Sequence, residues 1–311
     1  MVQADSLTVP VVAVVGPTAV GKSALGIAIA RRFGGEVVSG DAYQFYRGMD
    51  VGTAKTPVAE RGGIVHRLID ILEPDAPFSV ADYQRLVRAE IAAVQASGQL
   101  PVLVGGSGLY VQAALYDYRF AGVGRDRTPD GFYDALSTFE LHGLLATRHP
   151  ALAETIEPEN RRRILRMLEI AATASEEEID RTSGKNPYYP DLVVVGLTMD
   201  RPALSARISA RVDAMVAGGL VEEARRLYDR GIRGQAAAAI GYRELFAHFD
   251  GALSLPQAVE AIKVHTRQYA KRQMTWFRNR MNATWFTVDP DRFEECVARV
   301  LDHLEGRLGT R

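Results

Sequence analysis

The chain of 311 residues is 47% hydrophobic and 24% charged, a globular balance that excludes a disordered tail or a fibre and suits one large domain or two moderate ones. Its 37 basic and 38 acidic side chains give a net charge of −1, which argues against a wholesale polyanion binder but allows a local basic face. No apolar run approaches the roughly 20 residues that span a bilayer, no basic stretch leads into an apolar core at the N-terminus, and the single cysteine, Cys296, has no partner for an internal disulfide. A cytoplasmic protein without a membrane anchor is expected.

Val11–Val15 is an apolar, β-rich run that ends in Gly16–Ser23, and a helical pattern follows from Ala24 to Phe33. A second short strand, Glu36–Ser39, leads to Asp41. Ser79 and Asp82 have the spacing of a capping box that opens a helix from Val80 to Ser97, with Gly98 as its stop. Pro101–Val104 reads as a third buried strand, followed by Gly105-Gly106-Ser107-Gly108 and another helix. From Tyr116 to Pro190 the alternation breaks: helical patterns near Phe132–Arg148 and Asn160–Ala172 stand without a strand, which predicts a helical insertion. Leu192–Leu197 is a later buried strand. After Arg201-Pro202 the chain reads as helical almost throughout, with a long helix from Pro256 to Met281 and a terminal helix begun by Asp289-Pro290. Such strand–helix alternation predicts an α/β fold, a parallel sheet flanked by helices of the P-loop NTPase type, with a helical insertion domain. Residues 1–116 and 191–311 would form the core and residues 117–190 the insertion.

Gly16-Pro17-Thr18-Ala19-Val20-Gly21-Lys22-Ser23 fits the phosphate-loop pattern G-x-x-x-x-G-K-[ST]. Glycines let backbone N–H groups converge on one anion, and the helix that follows adds its positive end. Lys22 supplies a mobile charge for phosphate oxygens, and the Ser23 hydroxyl is a candidate ligand for Mg²⁺. The pattern implies a di- or triphosphate ligand without specifying ATP.

Asp41 lies just past a strand end, where residues of an open parallel sheet face the ligand crevice. It is a candidate general base, or a water-mediated holder of Mg²⁺; an aspartate in an ordinary turn is the plainer alternative. Ser107 also follows a strand and is placed to hydrogen-bond Asp41 or a substrate. Two basic clusters stand out against the balanced total. Between Ala261 and Asn282 lie Lys263, Arg267, Lys271, Arg272, Arg278 and Arg280 without an acid, interleaved with His265, Tyr269, Trp276 and Phe277; Arg161, Arg162, Arg163 and Arg166 form the second. Cations suit backbone phosphates and aromatic planes suit unpaired bases, although a single basic helix is more often a solvated face.

Taken together, Gly16–Ser23, Asp41-Ala42-Tyr43-Gln44, Gly48–Lys55, Val104–Tyr110, Ile240–Glu244 and Lys271–Arg278 resemble, in order, the motifs of the tRNA dimethylallyltransferases, also called tRNA isopentenyltransferases. The resemblance implies transfer of the dimethylallyl group of dimethylallyl diphosphate to N6 of adenosine 37 beside the tRNA anticodon, with release of pyrophosphate. It implies that Gly16, Pro17, Thr18, Ala19, Val20, Gly21, Lys22 and Ser23 hold the diphosphate with Mg²⁺. Asp41 matches the catalytic aspartate, Ser107 a residue contacting the target nucleotide, and Arg211 a diphosphate-binding arginine with Arg207 one turn earlier. The tRNA-facing positions carried over are Asp41, Ala42, Tyr43, Gln44, Ser107, Arg127, Arg162, Arg163, Arg166, Gly241, Tyr242, Arg243, Lys271, Arg272 and Arg278. The insertion is expected to grip the anticodon stem-loop, and the protein to act as a monomer. Departures from the family pattern are Ala42 in place of serine, Met167 in place of alanine and the acidic Glu176–Glu178. The residues leave three other readings open: a phosphate-loop kinase of small molecules, an isopentenyltransferase acting on free adenylate, and a non-catalytic RNA-binding module.

Overall fold

The structure is a computed structural model that describes residues 9–120, 133–171 and 186–309. Six parallel strands form one sheet in the order β3-β2-β4-β1-β5-β6. They are β1 (Val11–Val15), β2 (Gly35–Ser39), β3 (His66–Arg67), β4 (Leu100–Val104), β5 (Leu192–Met199) and β6 (Thr284–Val288). Central β1 is wholly buried, as a parallel strand covered on both faces must be. Its side chains alternate between two cores. Val11, Ala13 and Val15 join one cluster, and Val12 and Val14 the other.

The second cluster is closed by α1 (Lys22–Phe33), through Leu25 and Ile29, and by the C-terminal helix, through Cys296, Val300 and Leu304. The first is closed by α2 (Val80–Ala96) and α3 (Gly108–Leu115), together with helices from the C-terminal part of the chain. The Ser79–Asp82 capping box at the start of α2 is present.

Contacts divide the chain into two compact units, 1–116 with 187–311, and 117–186. Pro187 lies with the first unit because it bridges to Tyr116. The second unit holds α4 (Thr138–Arg148), α5 (Pro150–Ala153) and α6 (Arg161–Ala171). Its own small core consists of Leu141, Leu145, Ala153, Ile156, Ile164 and Leu168.

The first unit continues with α7 (Arg201–Ala217), α8 (Leu220–Asp229), α9 (Tyr242–Phe249), α10 (Leu255–Arg280) and α11 (Phe293–Leu308). The nearly all-helical expectation after residue 202 misses β6. This edge strand pairs on one side only and is mostly part-exposed, so it lacks a continuous apolar run. Asp289-Pro290 opens a single 3₁₀ turn, Pro290–Arg292, before α11. No helix among the described residues is long and apolar enough to cross a membrane.

Candidate active site

The phosphate loop joins β1 to α1, and its shape requires two of its glycines. Gly16 has φ +143°, and a Cβ there would lie 2.5 Å from the Leu197 carbonyl oxygen. Gly21 has φ +109°, and its Cβ would lie 2.6 Å from the Phe293 ring, the first residue of α11. Ala19 also adopts a left-handed conformation, φ 65°, and its carbonyl accepts a hydrogen bond from Arg207 Nε at 3.1 Å. Lys22 Nζ donates to the Pro17 carbonyl at 2.7 Å, folding the side chain back over the loop.

Asp41 follows β2 and is held from both sides. Its Oδ1 accepts the Tyr43 N–H at 2.9 Å. The Ser39 hydroxyl accepts the Asp41 N–H at 3.4 Å and donates to Gln44 Oε1 at 3.1 Å. Ser107 Oγ accepts the Ala42 N–H at 3.0 Å and lies 3.5 Å from Tyr269 Oη. Ala42 thus gives its backbone N–H to Ser107 and presents only a methyl group.

Loop and aspartate share a cleft of about 940 Å³, lined also by Arg207, Arg211, Gln44 and the Thr53–Pro57 segment. Burial pushes the Lys22 ammonium down to about 7; nearby Arg211 adds to the fall and Asp41 opposes it. Burial raises Asp41 above the ordinary carboxylate value, against the Tyr43 N–H, Lys22, the Gln44 N–H and Arg211, which all favour its charged form. Arg211 is lowered by burial, with Asp41 opposing and Arg207 adding. A carboxyl group, an ammonium and a guanidinium thus face one crevice, and an anionic ligand would restore the charge on Lys22.

Among the expected site residues, Thr18, Ala19, Gly21, Lys22, Ser23, Asp41, Gln44 and Arg211 line the cleft, whereas Gly16, Pro17 and Val20 are buried within the loop and Ser107 is held against the backbone beside Asp41. Ser107 is 7% exposed, so its visible work is to fix Ala42 as much as to meet a ligand. Gly241 and Tyr242 are corrections. Both are buried, and Tyr242, at 0% exposed, has its hydroxyl bound to Glu223. Neither presents a surface to RNA; Arg243 beside them is exposed.

On α10, Lys271, Arg272 and Arg278 are exposed and form no ion pair among the described residues, whereas Lys263 pairs with Asp213 and Arg267 with Glu260. Arg272 lies over Tyr269, Arg278 over Trp285 and Arg280 over Trp276. In the insertion unit, Arg162, Arg163 and Arg166 face solvent on α6, and Arg166 pairs with Glu169 at 3.2 Å. Arg127 and Glu176–Glu178 lie outside the described residues.

Gln273 is a site residue that the motif reading passed over. Its Oε1 accepts the Thr18 N–H at 2.8 Å, and its Nε2 donates to the Gly106 carbonyl at 2.8 Å, tying the phosphate loop to the loop after β4. The available signal was its place on the stripe Ile262, Ala270, Gln273 and Phe277, a polar residue at helical spacing on the buried face of α10.

A family model described as IPP transferase matches residues 44–280. The tRNA dimethylallyltransferase of Geobacillus kaustophilus is 48% identical over 306 residues, covering 96% of this chain and 97% of its own. That of Bacillus subtilis is 45% identical, covering 96% and 98%. Among solved structures, the tRNA isopentenylpyrophosphate transferase of Bacillus halodurans is 42% identical with a TM-score of 0.73, covering 96% of both chains. A eukaryotic dimethylallyltransferase described as acting on tRNA is 25% identical with a TM-score of 0.81, covering 96% of this chain and 80% of its own.

Proposed function

Because the chain belongs to the IPP transferase family, we propose that it transfers the dimethylallyl group of dimethylallyl diphosphate to N6 of adenosine 37 in tRNA and releases pyrophosphate. The observation that carries this reading is the shared cleft: Asp41 faces the same crevice as the phosphate loop, Lys22 and Arg211. The loop amides, Lys22 and Arg211 receive the diphosphate. They stabilise the negative charge that grows on it as the allylic C–O bond breaks. The amine nitrogen of an extruded adenine forms the new C–N bond, and Asp41 accepts the proton that this nitrogen sheds.

Among the described residues no group of three His, Cys, Asp or Glu side chains could form a protein cage for a metal ion. The donor set fits Mg²⁺ arriving with its diphosphate: Ser23 is exposed in the first turn of α1 and offers one hydroxyl, and phosphate oxygens and water supply the rest. Bound there, Mg²⁺ would neutralise charge on the leaving group. The exposed cations of α10, and those of α6 in the insertion, are the proposed contacts to the anticodon stem-loop. The proposed setting is a monomer in the cytoplasm.

Two assays test the reading against its competitors. Thermal-shift titration should show stabilisation by dimethylallyl diphosphate; strong stabilisation by ATP alone would favour a kinase. Prenyl transfer should require tRNA, and transfer to free AMP at a comparable rate would favour an adenylate isopentenyltransferase.

A further inference from the structure

Glu223 of α8 is 2% exposed and has no cationic partner among the described residues, yet both of its carboxylate oxygens are saturated. Oε2 accepts the N–H groups of Asp50 at 2.8 Å and Val51 at 2.9 Å. Oε1 accepts the Gly52 N–H at 2.9 Å and the Tyr242 hydroxyl at 2.6 Å. Four donors converge on one side chain, and only an ionised carboxylate accepts them all. The fit is close: a Cβ on Gly52 would lie 2.5 Å from Tyr242 Oη.

The anchored segment runs directly into the cleft wall formed by Thr53–Pro57. The Thr53 carbonyl accepts Gln44 Nε2 at 3.3 Å, and Gln44 in turn accepts the Ser39 hydroxyl that holds the Asp41 N–H. Lys55, whose side chain is 4% exposed, closes the turn by donating to the Tyr46 carbonyl at 2.6 Å and to Asp50 and Asp70. The phosphate loop supplies the anion-binding side of the cleft. The wall anchored by Glu223 belongs to the remainder, where Ile27, Val37 and Ile69 line the space together with Arg31, Ser39, Glu60 and His66. Its apolar part, to which the wall adds Ala54 and Pro57, suits a hydrocarbon and not a phosphate.

We propose that Glu223, with Tyr242, is a positioning residue that fixes the Asp50–Pro57 segment as the cleft wall facing the carbon chain of the diphosphate substrate. The inference rests on the prenyl-transfer reading above, and it assigns to Tyr242 an internal task in place of an RNA contact. Glu223→Gln replaces one acceptor oxygen by an NH₂ group, leaves at least one backbone N–H facing a donor and loosens the wall.

The test compares two ligands on the full chain. In Glu223→Gln the KM for dimethylallyl diphosphate should rise about tenfold, with a smaller change in kcat, while the Kd for inorganic pyrophosphate stays within about twofold. Tyr242→Phe removes one donor, keeps the ring and should move the same KM in the same direction by less; it decides the matter if Glu223→Gln does not fold. An unchanged KM, or an equal loss for pyrophosphate, would overturn the assignment. A wild-type protein that binds pyrophosphate but transfers nothing to tRNA would instead contradict the prenyl-transfer reading.

Discussion

Asp41 and Lys22 carry opposite perturbations for one reason: both are withdrawn from water, which disfavours the charged form of each. For Asp41 the consequence is an acid limb. The base works only when ionised, so kcat/KM should rise with pH through a value above that of an ordinary carboxylate, as a pH–rate profile would show. Asp41→Ala should lower kcat by about 10²–10⁴-fold, the usual contribution of a general base, and leave tRNA binding nearly intact in a filter-binding assay; near-wild-type turnover would remove Asp41 from the mechanism. For Lys22 the consequence is proton uptake. Burial brings Lys22 down to about 7 in the free protein, so it gives up charge as the pH rises past neutrality, and a diphosphate beside it favours the ammonium form. Pyrophosphate binding at pH 8 should therefore take up a proton, seen by calorimetry in buffers of differing ionisation enthalpy. Lys22→Arg, which is always charged, should lack that uptake; identical uptake in the variant would assign the proton elsewhere.

Helix α10 serves two surfaces at once. Its inner face carries Gln273, which ties Thr18 to Gly106, and its outer face carries Lys271 and Arg272. Replacing both cations with alanine should weaken tRNA and flatten the dependence of log K on log salt by about 1–2 units, as expected for the loss of two phosphate contacts. An unaltered slope would take this face away from RNA. Helix α11 acts on the phosphate loop from the other side, since Phe293 fills the space where a Gly21 side chain would stand. Gly21→Ala should therefore weaken pyrophosphate sharply, and adding Phe293→Ala should restore it only in part, because the left-handed backbone strain of about 1–2 kcal/mol remains. Full restoration would mean that the ring, and not the backbone, sets the limit.

For the molecule as a whole, the sequence made legible what depends on local pattern. The VVAVV run of β1, the phosphate loop and the Ser79–Asp82 cap each announce themselves within a few residues. The two-residue β3 and the part-exposed β6 do not, because each is specified by the strand beside it. The site divides the same way. Asp41 is readable from its place after a strand, but Glu223 becomes informative only when residues 50–52 are brought to it across 171 to 173 positions of chain. Tyr242 lies inside the fold with its hydroxyl on Glu223, a placement its motif does not announce, because a motif records which residues recur and not which way they point. The second compact unit, with Arg162 and Arg163 exposed on α6, supplies a separate test. Arg162→Ala with Arg163→Ala should weaken tRNA while leaving pyrophosphate affinity unchanged, and a joint loss of both would argue against separate roles for the two units.

The claim on which the rest depends is that a diphosphate leaves from the phosphate loop while an RNA amine, relieved of its proton by Asp41, takes the carbon group. Mass spectrometry of nucleosides from unmodified tRNA, incubated with the protein, Mg²⁺ and dimethylallyl diphosphate, reads this directly. The expected result is one new species, adenosine carrying a five-carbon isopentenyl group at N6, formed far more slowly with Asp41→Ala. Unmodified adenosine throughout, with the protein folded and both substrates bound, would contradict the account.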